Sequence, residues 1–234
     1  IMYNYLYIMC FNEESSISVF TFGTLCSAYL FYRGVKNNSG NDKFYGILLV
    51  LVSFMQLIEF FLWKNQKKCN NENKTMSFLI LVLLYLQVAG TFVSYYVIKG
   101  ITKKKRLFKD KWYFILFGVF SLMTFYFFND AYKNIDSLCS FKDEESCRLI
   151  WRPLEFIYNK SSSISTIMLI LYLFLMGNHM PKTDKFFSKN YLNVTLIFSI
   201  AYAIFYKGTH FVTIFGSLWC FLVALMGAIY ILDI

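Results

Sequence analysis

Apolar residues gather in seven stretches along the chain, separated by linkers that hold nearly all the charge. The stretches cover about 17–32, 44–63, 76–98, 112–128, 162–176, 191–206 and 211–232. Read as bilayer-crossing helices, they predict an all-α polytopic membrane protein with seven transmembrane helices in a single domain, 1–234. The second stretch, FYGILLVLVSFMQLIEFFLW, has an internal period. Ser53, Gln56, Glu59 and Trp63 follow one another at spacings of three, three and four, which places them on one helical face. A carboxylic acid is costly in hydrocarbon, so that face should turn toward protein and not lipid. Glu59 lies about one helical turn, roughly 6 Å, from the end of its span, close enough to be hydrated from that side.

Composition agrees with a membrane chain: 57% of the 234 residues are hydrophobic and 21% aromatic, with a mean hydropathy of +0.48. Charge sets the expected orientation. The linkers after spans one, three and five hold thirteen of the 23 basic residues, among them Lys99, Lys103, Lys104, Lys105, Arg106, Lys109 and Lys111. With four acidic residues on the same face, that side carries the whole formal net charge of +9. Basic loops stay in the cytosol, so the N-terminus is expected outside or in the lumen and the C-terminus in the cytoplasm. The first residues, IMYNYLYIMC, show no basic n-region and no small-residue cleavage site, so the first span is expected to act as its own insertion signal.

Cysteines and sequons fall where that orientation wants them. Cys10, Cys69, Cys139 and Cys147 lie on the lumenal side, where disulfides form. Cys139 with Cys147 and Cys10 with Cys69 is the preferred of three pairings. Asn73 and Asn159 head lumenal N-x-S/T sequons and are candidate glycosylation sites. The lumenal loop 129–161 is the one long linker. A short surface helix is expected near its end, from Leu149 to Tyr158, interrupted by Pro153, with Trp151, Phe156 and Tyr158 at the membrane interface.

The candidate chemistry centres on Glu59. With Gln56, Ser53, Gln87 and Ser217 it would line a substrate or ion pathway opening to the lumen. Trp63, Trp219 and His210 are candidate pocket-lining residues. The competing reading is a hydrogen-bonded acid that locks spans together through Gln56 or Gln87. In the last span Thr213, Gly216, Ser217, Cys220, Ala224 and Gly227 form a small-residue stripe, which favours close helix packing. His179 and His210, the only histidines, are predicted on opposite sides of the membrane. A zinc centre therefore has too few ligands in one place, and no metal or other cofactor is implied. No Gly-x-Ser-x-Gly elbow, Cys-x-x-Cys pair or phosphate-binding glycine loop occurs, so an enzyme is not expected.

Seven spans with an outside N-terminus look like the rhodopsins, but the last span has no lysine to hold retinal, and Lys207 falls at the edge of the sixth. The motifs MQLIEFFLW (Met55 to Trp63) and GSLWC (Gly216 to Cys220) resemble an uncharacterised family of multipass membrane proteins of large DNA viruses and protists. That resemblance implies a source and no activity. The expected function is transporter- or channel-like, handling a proton, cation or small polar solute. The alternatives are a receptor-like ligand-sensing protein and a structural membrane or virion protein. Expected partners are the lipid bilayer, anionic lipids at the cytoplasmic face, a small solute or ion and a second copy of the chain, with no nucleic acid. The expected location is an ER-derived, plasma or viral membrane.

Overall fold

Short polar side chains fix where the helices begin. A computed structural model describes residues 12–66, 69–103, 108–143, 148–182, 197, 199, 201 and 211–232. Helix α1 (Glu13–Lys36) opens on a capping box in which Asn12 Oδ1 accepts from Ser15 N at 2.8 Å and Ser15 Oγ accepts from Asn12 N at 3.0 Å. Ser39 caps α2 (Gly40–Lys64), Asn70 caps α3 (Asn71–Val97) and Ser161 caps α6 (Ser162–His179). Each supplies an oxygen to an otherwise unpaired backbone N–H of the first turn. Helix α4 runs Asp110–Lys133, a short α5 Arg152–Lys160, and α7 Phe211–Leu232. Between α1 and α2 the chain reverses in three residues, with Asn38 at φ 51°.

Among the described residues, α2, α3, α4 and α6 are long and apolar enough to cross a membrane. Seven such helices were expected. Helix α1 has the length, at 24 residues, but Ser, Thr and Gly dilute its apolar content and Arg33 and Lys36 occupy its last turn. Of the expected sixth span only residues 197, 199 and 201 are described, all helical.

Helix α2 is the centre, packing against α1, α3 and α7. Its contact with α1 is close because the touching residues are small. Ser27 Oγ donates to Gly46 O at 2.6 Å, and a Cβ on Gly23 would stand only 2.2 Å from Ser53 Oγ. A Cβ on Gly227 would lie 2.7 Å from Leu49 Cδ1 and 2.9 Å from Cys26 Cβ. The small-residue stripe of α7 thus serves close packing, as its spacing suggested.

The bundle has two distinct ends. At one, Thr102 N donates to Asn41 Oδ1 at 2.9 Å and Lys182 N donates to Thr102 O at 2.7 Å, joining the three basic linkers. Arg33 there makes a bidentate pair with Asp42, Nε to Oδ2 at 2.7 Å and Nη2 to Oδ1 at 3.0 Å. At the other end the 129–161 loop forms a cap. It holds a 3-10 turn (Ile135–Ser137), an antiparallel hairpin of β1 (Phe141–Asp143) and β2 (Arg148–Ile150) with Phe141 opposite Ile150, and then α5. The fold is mostly helical, as expected, and this short hairpin is its one pair of strands among the described residues.

The disulfide pairing is also corrected. Cys69, before α3, is bonded to Cys139, after the 3-10 turn, with Cα atoms 5.5 Å apart. The pairing brings together loops 70 residues apart, which the local loop-closing pairing Cys139–Cys147 ignored. Cys10 and Cys147 lie outside the described residues. Beside the disulfide, Asn73 Nδ2 donates to Ser140 O at 3.0 Å and to Asn65 O at 3.1 Å, while Asn73 Oδ1 accepts from Ser140 N at 2.9 Å. The carboxamide is 1% exposed, so the expected glycosylation at Asn73 has no room in this fold; Asn159 is exposed.

Two details of the cap differ from expectation. Pro153 sits in the first turn of α5, where its missing N–H costs nothing, so it starts the helix and does not interrupt it. Trp151 is fully buried instead of lying at the interface.

Candidate intramembrane site

Three consecutive members of the α2 stripe, Ser53, Gln56 and Glu59, turn inward, with Glu59 2% exposed. The carboxyl faces protein, as the stripe suggested. Gln56 Nε2 donates to Glu59 Oε2 at 3.0 Å. From α3 comes Gln87, also fully buried, whose Oε1 accepts from the Tyr172 hydroxyl of α6 at 2.6 Å. From α7 comes Cys220, whose thiol lies beside Gln87 and within electrostatic reach of Glu59. Trp219 interacts with the Tyr172 hydroxyl from the same helix. Four helices thus bring polar groups to one buried place.

The placement of each expected residue follows from its register. Ser53, Gln56 and Glu59 share one buried face of α2, and Gln87, buried on α3, connects to Tyr172 and Cys220. Ser53 Oγ lies in the contact with α1, beside Gly23. Trp63 is half-buried near the end of α2, one turn beyond the acid. His210 and the side chain of Ser217 lie outside the described residues.

Satisfaction of the cluster is incomplete. Ser53 Oγ and Gln56 Oε1 are buried with no hydrogen-bond partner among the described residues. A buried acceptor without a donor costs about 1–3 kcal/mol. Such a group is one place where a proton, a water or a ligand polar atom would be stabilised.

Tyr172 and Cys220 were missed as site residues, although each left a signal. Tyr172 is the one polar-tipped side chain between Ile167 and Met176, and Cys220 stands one turn after Gly216. Neither signal names a partner, because the partner is on another helix.

On the far side of Tyr172 and Cys220 lies a chamber of ≈ 90 Å³, walled chiefly by apolar side chains such as Leu84, Phe120, Phe127 and Met168. Trp151 closes part of it from the cap, and a Cβ on Gly216 would stand 2.8 Å from Trp151 Cζ3. The polar cluster and the chamber share a wall but differ in chemistry. A second buried titratable side chain, His179 at the end of α6, has Nδ1 2.6 Å from Leu175 O and sits among Phe92, Tyr95 and Tyr113. Among the described residues no three His, Cys, Asp or Glu side chains are grouped as metal ligands.

The stretches MQLIEFFLW and GSLWC, more than 150 residues apart, meet at this place through Glu59 and Cys220. No protein-family model, curated protein or solved structure matches the chain.

Proposed function

We propose that this chain is a seven-span integral membrane protein of transporter- or channel-like type, with the Glu59 cluster as the place that handles a proton, a cation or a small polar solute. The observation that carries the reading is a buried carboxyl met by Gln56 from its own helix and approached by Cys220 of α7, whose thiol also reaches the buried Gln87 of α3. Intramembrane acids turned into a bundle commonly mark ion and proton pathways. On this reading the conformation described is a closed one, and access from the cap side requires a second conformation.

The proposed orientation puts the cap in an oxidising lumen and the basic end in the cytosol. Two independent features support it: the Cys69–Cys139 bond belongs to the cap, and the basic linkers meet at the opposite end. No catalytic role enters this reading. The resemblance to multipass proteins of large DNA viruses and protists is kept as a proposal of source, since the two motifs behind it converge on the site.

A receptor-like reading is favoured by one specific observation, the apolar chamber that Trp151 of the cap partly closes. Reconstitution separates the two. Wild-type protein in liposomes loaded with a pH-sensitive dye is expected to carry proton flux that Glu59→Gln abolishes. Equal flux from the two proteins, or none above empty vesicles from wild type, removes Glu59 from transport and leaves it as a lock between helices.

A further inference from the structure

At one end of the bundle the starts of α2 and α4 lie beside the ends of α3 and α6. A Cβ on Gly40 would stand 2.5 Å from Lys99 O, Lys182 N donates to Thr102 O, and the ring of Tyr113 stacks on that of Phe174 with centroids 5.9 Å apart. All four helices are long and apolar enough to cross a membrane, so the linkers that join them here lie at the level of the lipid headgroups. Exposed Tyr32, Phe108 and Trp112 stand at the same level, as aromatic side chains do where a bilayer meets water.

Charge at this end is unbalanced. Asp42 is buried and committed to the bidentate pair with Arg33. Lys36, Lys43, Lys99, Lys103, Lys109 and Lys111 make no ion pair among the described residues, and all but the half-buried Lys43 are exposed. The fold gathers three of them. Asn41 Oδ1 accepts from Thr102 N at 2.9 Å, while Asn41 Nδ2 donates to Thr102 Oγ1 at 3.3 Å and to Lys182 O at 3.4 Å, which sets Lys99 and Lys103 beside the start of α2 and its Lys43. Lys43 stands in the first turn of α2, where the helix dipole is positive and a further cation is disfavoured. Its ammonium donates to the neutral Asn38 Oδ1, at 3.4 Å. An anion in front of this end relieves both the dipole and the lysines.

Acidic lipid was expected at this face from the charge of its linkers, and the fold supplies the place. A patch level with the headgroups and bordered by interfacial aromatics meets lipid phosphates before any soluble polyanion, which favours a lipid over a nucleic acid. We infer that this end is a binding site for acidic phospholipid, with the phosphate and carboxylate of a phosphatidylserine headgroup received by Lys43, Lys99 and Lys103. No bond is made or broken. The site depends neither on the role of Glu59 nor on which compartment the basic end faces.

The test reconstitutes the intact chain in phosphatidylcholine bilayers holding a trace of spin-labelled phosphatidylserine or spin-labelled phosphatidylcholine, and reads the motionally restricted fraction of each by electron paramagnetic resonance. Wild type is expected to restrict phosphatidylserine severalfold more than phosphatidylcholine, with the preference falling as salt screens the exposed charges. Lys43→Gln, Lys99→Gln and Lys103→Gln in one chain are expected to remove most of that preference, and Lys→Arg at the same three positions to keep it. Lys142→Gln, exposed in the cap at the opposite end, is expected to leave it unchanged. Retention of the Cys69–Cys139 bond on non-reducing gels checks that each variant is folded. Equal restriction of the two lipids by wild type overturns the site, and a soluble oligonucleotide held by the same lysines would then assign the patch to nucleic acid. A full preference in the triple Gln variant, or its loss in Lys142→Gln, places the lipid elsewhere and overturns the site as well. Displacement of the labelled lipid by free glycerophosphoserine as readily as by phosphatidylserine overturns the lipid as the source of the headgroup.

Discussion

Helices α2 and α4 look alike as strings of letters, and the fold treats them in opposite ways. Both are long and apolar enough to cross a bilayer, yet 56% of the apolar window of α2 is buried inside the protein against 22% for α4. Helix α2 is surrounded by α1, α3 and α7; α4 touches α3 and α6 along one side. The difference lies in small and polar positions. Helix α2 carries Gly46, Ser53, Gln56 and Glu59 on buried faces, whereas α4 turns Phe114, Leu122, Phe125 and Tyr126 outward. In a membrane apolar side chains have no preference for protein over lipid, so close backbone approach and polar contacts decide which helix is central. Helix α4 is instead held through its end, by the cap and the disulfide that follow it.

This contrast predicts where damage is done. The largest effect is expected from Cys139→Ser, since releasing a crosslink that spans 70 residues costs about 4 kcal/mol on a chain-entropy basis. Thermal unfolding in detergent should show a lowered midpoint matched by reduced wild type; an unchanged midpoint would mean that α4 is held by packing alone. Next comes Met55→Ala on α2, at a fully buried position, expected to cost about 3 kcal/mol from lost contacts and a residual cavity. Denaturant titration measures it.

A smaller effect concerns the cap. Lys74 Nζ, 2.6 Å from Asp136 Oδ1, holds that exposed carboxyl below its ordinary value. A lowered folded value adds stability at pH above the unfolded one, about 4 for an aspartate, and the gain disappears as the pH falls through the lowered value. Melting curves of wild type and Asp136→Asn should therefore differ slightly at neutral pH and converge in acid; a gap that widens in acid contradicts the pairing. The smallest effect is expected from Leu122→Ala on α4, 72% exposed, at under about 0.5 kcal/mol. A cost as large as that of Met55→Ala would mean that α4 is covered by something other than lipid.

Much of the helix pattern was legible, and so was the inward turn of Glu59, because each follows from periodicity within one segment. The α7 stripe was legible for the same reason: glycines at Gly216 and Gly227 leave room whatever the partner. Other features were not. Pairing of Cys69 with Cys139 depends on two loops meeting across the length of α3 and α4. Asn73 matched a sequon by its letters, while its carboxamide is used up by Asn65 and Ser140. Trp151 read as an interface aromatic until Gly216 supplied a surface for it to cover.

The sequence by itself determined which segments are apolar and which face of α2 is polar, since hydropathy and helical phase are sums over neighbours in the chain. Only the tertiary structure decided that Cys220 approaches the acid and links it to Gln87 and Tyr172, that an apolar chamber lies beside them and that the cap is tied to α3. Those contacts join residues far apart in sequence, and their energy exists only once the helices have chosen their neighbours.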